Sequence, residues 1–241
     1  MNYDILMEEE IKKIEKKNPT LLLHACCAPC SSAVLERLGD IFEITIFYYN
    51  PNITDQKEYQ KRLDEIHMFI SKFKTKNKIK ILDGRYDPNE YFNMAKGLEN
   101  EPERGKRCYK CYELRLDETA KVAKELDFDY FTTTLSLSPH KNSNWINEIG
   151  ENLDKKILSA VFLRAGSSFF SKYSSLRLVQ FYVILVPVEI YADYVNLWRD
   201  NYEAMEQDTK NHDGWNCRFT IDIDWDIWCA GSKNTGPSNT H

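Results

Sequence analysis

Thr20-Leu21-Leu22-Leu23-His24-Ala25-Cys26-Cys27-Ala28-Pro29-Cys30 is the stretch from which the fold can be read. An apolar run of strand length stops abruptly at three cysteines. Ser31-Ser-Ala-Val-Leu-Glu-Arg-Leu38 then reads as a helix, with Gly39 as its stop. Working outward, Phe42–Tyr48 is a β-branched and aromatic strand closed by Asn50-Pro51-Asn52. Asp55–Phe73 is a charged amphipathic helix, Ile79–Leu82 a third strand, Pro88–Leu98 and Cys108–Leu126 helices, Tyr130–Thr134 a fourth strand and Asn144–Leu153 a helix. Strands alternating with helices predict an α/β fold with an open, mainly parallel, Rossmann-like sheet and helices on both faces. The first cysteine motif falls at the carboxyl end of the first strand, where ligands bind in such sheets. Tyr49–Asn52 and Thr132–Pro139 fall on the same rim.

Five of the seven cysteines lie in two motifs, His24-Ala-Cys26-Cys27-Ala-Pro-Cys30 and Cys108-Tyr-Lys-Cys111. Two Cys-x-x-Cys spacings and an adjacent pair suit a polynuclear iron–sulfur or zinc site, since thiolates so spaced converge on one metal centre. Buried apolar cysteines and a structural zinc site are the plainer alternatives. Cys108 and Cys111 open a helix three residues apart and share a face of it. The helix dipole there is expected to favour thiolate.

Composition sets bounds. The 241 residues make one large or two small domains, and 42% hydrophobic residues can fill a core. Residues 1–17 carry a mixed acidic and basic helical pattern rather than a signal peptide. The longest apolar run, Leu178–Val188, contains Gln180 and Pro187 and is too short to span a bilayer. A soluble, cytoplasmic protein with no membrane partner is expected, and clustered cysteines in the reducing cytosol point to metal or redox chemistry. The net charge of −5 excludes a chain that binds polyanions over its whole surface. A local basic run, Arg104, Lys106, Arg107, Lys110 and Arg115 against the single acid Glu113, surrounds the second cysteine pair. It can contact phosphate, and a solvated helix face explains it equally well. Composition shifts after Lys156: the first 156 residues hold 19 lysines and one tryptophan, the last 85 three lysines and four tryptophans. The expected division is an α/β domain over 1–156, an atypical segment over 157–231 and a disordered tail over 232–241. Asp222–Trp228 alternates like a half-buried strand.

His24–Cys30, Tyr49-Asn-Pro-Asn-Ile53, Glu101-Pro-Glu-Arg-Gly-Lys-Arg-Cys108, Tyr109-Lys-Cys111-Tyr, Arg115-Leu116, Thr119-Ala120, Phe131-Thr-Thr-Thr-Leu135 with Ser138-Pro139, and Ile146–Gly150 occur in that order. Together they resemble the cobalamin-independent epoxyqueuosine reductases of the QueH type, over about residues 20–152. The resemblance implies a HUP-like variant of the Rossmann sheet and the last step of queuosine formation in tRNA. There the epoxide on the cyclopentane ring of the modified wobble guanine is reduced to an alkene, and its oxygen leaves as water. It implies a 4Fe–4S cluster, held by position on Cys26, Cys27, Cys108 and Cys111, and a second mononuclear metal, iron or zinc. Cys30 is then a ligand of that metal or a redox thiol. The implied partners are a tRNA anticodon stem-loop carrying epoxyqueuosine and an unidentified electron donor. Removing an epoxide oxygen takes two electrons, and a Lewis acid or proton donor assists C–O cleavage. No Gly-x-Gly-x-x-Gly is present to hold a hydride cofactor. Family members usually finish with a Gly-Tyr-Lys/Arg-Ser helix and a Tyr-Cys-Gly-Cys stretch. Neither occurs here, where Cys217 and Cys229 are the only later cysteines. If that pair is an essential redox element, this chain is expected to bind its cluster and turn over poorly.

Several residues carry two readings. Asp87 is a candidate catalytic residue or non-cysteine metal ligand, though a residue in its place before Pro88 is more often a helix cap. His24 can tune a cluster or simply pack beside it. Tyr109 and Tyr112 can stack on a base, with Tyr112 better placed for the core. Thr132–Thr134 can bind substrate oxygen, or reflect β-propensity alone. Arg104, Lys106, Arg107 and Lys110 are the candidate RNA contacts. Two rival functions remain: a thioredoxin-like dithiol oxidoreductase built on Cys27-Ala-Pro-Cys30, and a zinc-stabilised RNA-binding module without catalysis.

Overall fold

A computed structural model describes residues 2–138, 141–157 and 159–165 of the chain. Within them β1 (Thr20–His24), β2 (Glu43–Tyr48), β3 (Lys80–Asp83), β4 (Tyr130–Thr133) and β5 (Val161–Phe162) form one sheet in the order β3-β2-β1-β4-β5. Every pairing is parallel. The connecting helices are α1 (Tyr3–Lys12), α2 (Ala28–Leu38), α3 (Gln56–Lys72), α4 (Pro88–Ala95), α5 (Lys106–Glu125) and α6 (Ser143–Ile157), with a 3-10 turn at Leu135–Leu137. No helix among the described residues is long and apolar enough to cross a membrane.

The continuous apolar run Leu21-Leu22-Leu23 is explained by β1's central position: a parallel strand covered on both faces has no solvent side, and all three leucines are fully buried. Alternate side chains serve opposite layers. Leu22, Phe47, Phe131 and Phe162 pack with Leu116, Ala120 and Ala123 of α5 and Ile146, Ile149 and Leu153 of α6. Leu21, Leu23, Ile44 and Ile46 pack with Leu35 and Leu38 of α2, Leu63, Ile66 and Phe69 of α3, and Met7 of α1. Each such side chain contributes roughly 1.5–3 kcal/mol on burial.

The strand order reverses between β1 and β4, which is the switch point where a doubly wound sheet opens a crevice at its carboxyl ends. α5 and α6 run back along the sheet from that same end, since each precedes a parallel strand. The cysteine loop after β1 and the threonine-rich end of β4 therefore flank one crevice, and α5 begins beside it.

The α/β expectation holds, and its departures have local causes. α2 begins at Ala28, with Cys27 as N-cap and Pro29 in the first turn, so Cys30 is helical. α4 stops at Ala95 because Gly97 takes a left-handed backbone, with φ of 80°. α5 starts two residues before Cys108, its Lys106 N–H bonded to the Glu101 carboxylate at 3.1 Å. β5 was not expected and carries the sheet past residue 156. Buried Asn147 on α6 holds the chain just beyond it, accepting from Ala165 N at 2.9 Å and donating to Ala165 O at 3.1 Å. The readings of Leu178–Val188, Asp222–Trp228, Cys217, Cys229 and the 232–241 tail lie outside the described residues.

Gly150 sits inside α6, where a side chain would ordinarily help the helix. A Cβ there would come within 2.3 Å of the Phe162 ring on β5. Gly150→Ala is therefore expected to lower stability by about 1–3 kcal/mol in urea unfolding, despite a helix-propensity gain of about 1 kcal/mol. The double variant with Phe162→Leu should recover much of the loss; a Gly150→Ala chain more stable than the parent would contradict this packing.

Candidate metal centre

Three thiols converge at the switch point. The Sγ atoms of Cys26, Cys27 and Cys30 lie within 4.8 Å of one another, the first two fully buried and the third half-buried. Cys26 and Cys27 sulfurs are 3.8 Å apart. Thiolates bound at about 2.3 Å to a single tetrahedral ion stand roughly this far from each other. The backbone makes the convergence unavoidable. Cys27 caps α2, its sulfur accepting the Cys30 N–H at 3.5 Å, and this places Cys30 one turn on and on the same side. Cys26 is held from β4: its N–H points to Thr134 Oγ1 at 3.4 Å and its sulfur lies 3.6 Å from the same hydroxyl.

The three thiols bias one another's ionisation in opposite directions. Hydrogen bonds from the Cys27 and Cys30 thiols hold Cys26 well below the usual thiol range, helped by the Lys141 charge and the Thr134 hydroxyl. The same bonds and burial push Cys27 up. Cys30 is also raised, chiefly through its hydrogen bond with Cys26. Lys141, half-buried in the loop before α6, is itself raised by the cysteine charges. Buried Arg115 lies close enough to weigh on His24. Neither cation is among the site residues read from the sequence: Lys141 stands alone there, and Arg115 belongs to a basic run that reads equally as phosphate contact or solvated face. An all-sulfur donor set with flanking cations fits an anionic thiolate–metal centre of iron or zinc.

Around the trio the rim is braced by polar groups. His24 is fully buried, its Nε2 donating to Tyr49 O at 3.1 Å and its Nδ1 accepting from Thr133 Oγ1 at 2.9 Å. Its ring thus ties three strands together and makes neither bond to a thiol. Burial, with Arg115 nearby, lowers its pKa to about 3. Thr132 donates to Leu163 O at 2.7 Å, so the threonines at the end of β4 build the rim. Tyr49 bonds Glu90, and Arg85 joins Glu90 to Glu118, tying the end of β2 to α4 and α5.

The second cysteine pair is close by but divided. Cys108 packs in the same group of buried side chains as Cys26 and Cys27, while Cys111 packs with Tyr91 and Ala95 of α4. Neither belongs to the 4.8 Å trio. The dipole-stabilised thiolate expected at Cys108 is overridden: burial raises that thiol, and the Arg104 N–H at 3.3 Å only partly offsets it. Asp87 caps α4, accepting from Asn89 N at 3.0 Å and Asn89 Nδ2 at 2.8 Å. Tyr112 is core, as expected. Tyr109 meets Trp145 edge-on, with ring centroids 5.5 Å apart. Of the basic run, Arg104, Lys106 and Lys110 are exposed and Arg107 half-exposed, whereas Arg115 is buried against the Cys111 carbonyl and leaves the surface patch. Arg107 donates to Glu99 O at 2.9 Å, and Lys110 pairs with Glu113 at 2.5 Å.

Fold and site together define the class: a Rossmann-like α/β protein with a polythiol centre, suited to a metal, at the switch point. Within that class, the chain matches the family model described as epoxyqueuosine reductase QueH over residues 21–175, and it belongs to that family. The match runs past residue 152, where the recognised motifs stop. Three relatives bear the name epoxyqueuosine reductase QueH. The one from Streptococcus pyogenes serotype M1 is 45% identical over 159 residues, covering 64% of this chain and 62% of the relative. That from Staphylococcus epidermidis is 42% identical over 156 residues, 62% of this chain and 66% of the relative. That from Staphylococcus aureus is 39% identical over 161 residues, 64% and 67% respectively. The chain thus spans about two-thirds or less of the relatives it matches.

The neutral His24 ring has a consequence for stability. With a folded pKa of about 3 against about 6.5 unfolded, its contribution is complete above pH 6.5 and is lost as pH falls toward 3. Between pH 7 and pH 5 the loss should be about 2 kcal/mol. Urea unfolding at both pH values should show a correspondingly smaller drop for His24→Gln, and equal drops would contradict a buried neutral ring.

Proposed function

We propose that this chain reduces epoxyqueuosine at the wobble position of tRNA to queuosine, using a 4Fe–4S cluster held by Cys26, Cys27, Cys108 and Cys111. The observation that carries the reading is the buried thiol trio at the switch point of a QueH-family chain. Cys30, the least buried of the three, stands ready as ligand of a second, mononuclear iron or zinc ion or as a redox thiol. The bound cluster would supply single electrons. The overall change is balanced by two electrons and two protons: the epoxide's two C–O bonds break, an alkene forms, and the oxygen leaves as water.

The chain's own residues have separable tasks. Cys26, its pKa held low by its neighbours, is the thiol most readily ionised for metal binding. Lys141 and Arg115 offset the negative charge that thiolates and electrons accumulate there. His24 keeps the rim rigid without holding a transferable proton near neutral pH. Arg104, Lys106, Arg107 and Lys110, at and before the start of α5, steer the phosphates of an anticodon stem-loop toward the crevice. Asp87 stays a candidate catalytic residue, although its hydrogen bonds with Asn89 serve the cap.

A thioredoxin-like reaction fits less well. It needs an accessible, low-pKa first cysteine in Cys-x-x-Cys. Here Cys27 is buried and its pKa raised, and the favoured thiolate is Cys26. A zinc-stabilised RNA module is distinguished by its metal content and absence of turnover.

Two measurements test the proposal. Anaerobically prepared protein should contain iron and sulfide and, given a chemical reductant, convert epoxyqueuosine in a stem-loop to queuosine; Cys111→Ser should lose most of its iron, and Cys217→Ser should keep it. Equal iron in both variants, or zinc alone, would sink the cluster assignment. Reversing the charges of Arg104, Lys106, Arg107 and Lys110 should weaken stem-loop binding and flatten its salt dependence by a slope of about 0.7–0.9 per lost phosphate contact, with iron content intact. Unchanged binding would leave the run a solvated surface.

A further inference from the structure

Asn50 and Asn52 follow β2 on the carboxyl rim, and neither has a part in the chemistry above. Asn50 is fully buried, and its Nδ2 donates to the Ala25 carbonyl at 2.9 Å, in the peptide that leads into Cys26. Its Oδ1 has no partner, and nor does the shielded Oδ1 of Asn52. Among the described residues these are the only buried side-chain nitrogen or oxygen atoms without a hydrogen bond. A buried acceptor left unsatisfied costs about 1–3 kcal/mol, and folded proteins keep few of them. Two such atoms, two residues apart, stand beside the loop that carries the thiols.

Local adjustment cannot easily relieve them. The Tyr49 carbonyl is engaged by His24, the Asn50 amide by Ala25, and the Asn50 carbonyl by Ile53 N–H at 3.1 Å. The turn is thus fixed on both sides of the orphaned oxygens. What they lack is a hydrogen-bond donor. Amide oxygens are hard, neutral acceptors and poor partners for iron or zinc in a thiolate site. A neutral hydroxyl suits both acceptors.

We infer that Asn50 and Asn52 form a hydroxyl-recognising subsite, whose amide oxygens accept hydrogen bonds from the hydroxyl-bearing ring of the epoxide substrate and hold it against the thiol centre. The inference rests on the epoxide-reductase reading. It makes the turn a specificity element: an RNA whose wobble base lacks the ring leaves both acceptors unpaired.

The test compares the affinities of the iron-loaded protein for two anticodon stem-loops, one carrying epoxyqueuosine and one carrying plain guanine. The parent should prefer the modified loop, and Asn52→Ala should reduce that preference about 10- to 100-fold while its affinity for the plain loop and its iron content stay constant. Because its oxygen is unpartnered, Asn52→Ala should also unfold at no lower urea concentration than the parent, an outcome a purely structural asparagine would not give. Asn50→Ala should lose the same preference, with some loss of stability from the broken Ala25 bond. A parent that does not distinguish the two RNAs would overturn the functional reading itself. A parent that does, alongside an Asn52→Ala protein that keeps the full preference, would overturn the subsite alone. Loss of iron in Asn52→Ala would make the residue part of the metal site and refute hydroxyl recognition.

Discussion

The His24 imidazole is the tie on which the carboxyl rim depends. It ends the central strand, is sealed from water, and has a hydrogen bond to β4 on one side and to the peptide after β2 on the other. Only a neutral ring can accept from Thr133 and donate to Tyr49 at once. That geometry fixes the spacing of three parallel strands where the cysteine loop leaves the sheet. Cys26 is then clamped against Thr134, and Cys27 is left to cap α2 with its sulfur. The convergence of three thiols follows from a braced switch point and a helix that begins one residue later.

Electrostatics explains why this arrangement tolerates a negative centre so far from water. Burial alone would keep all the thiols protonated. Hydrogen bonds between them favour ionisation at Cys26, and Lys141, in the loop before α6, supplies positive charge. A single cysteine in the same position would have no such support. Beside the same loop, the side-chain oxygens of Asn50 and Asn52 are buried without hydrogen-bond partners.

Much of this was legible in the sequence because the signals were local. A continuous Leu21–Leu23 run marks a strand buried on both faces, and cysteines directly after it mark the functional end. β5 escaped notice because a two-residue strand has no periodicity to read. The start of α2 differs from the sequence reading because a cysteine sulfur as cap lies outside the usual Ser, Thr, Asp and Asn signals. Arg115 shows the limit of charge counting: its neighbours in the run face solvent, while its own position on α5 faces inward. Cys108 and Cys111 share a helix face by spacing, yet the packing of α4 separates their environments, which only tertiary structure determines. The orphaned asparagine oxygens were equally invisible, since a missing partner has no sequence signature.

The central claim is that these cysteines jointly hold a polynuclear iron–sulfur centre. Iron-edge X-ray absorption of the anaerobically prepared chain tests it most directly. The account predicts a first shell dominated by sulfur and a clear iron–iron scattering distance, the latter lost when Cys108 and Cys111 are both replaced by serine. A spectrum with no iron–iron distance, or one left unchanged by that double replacement, would contradict it.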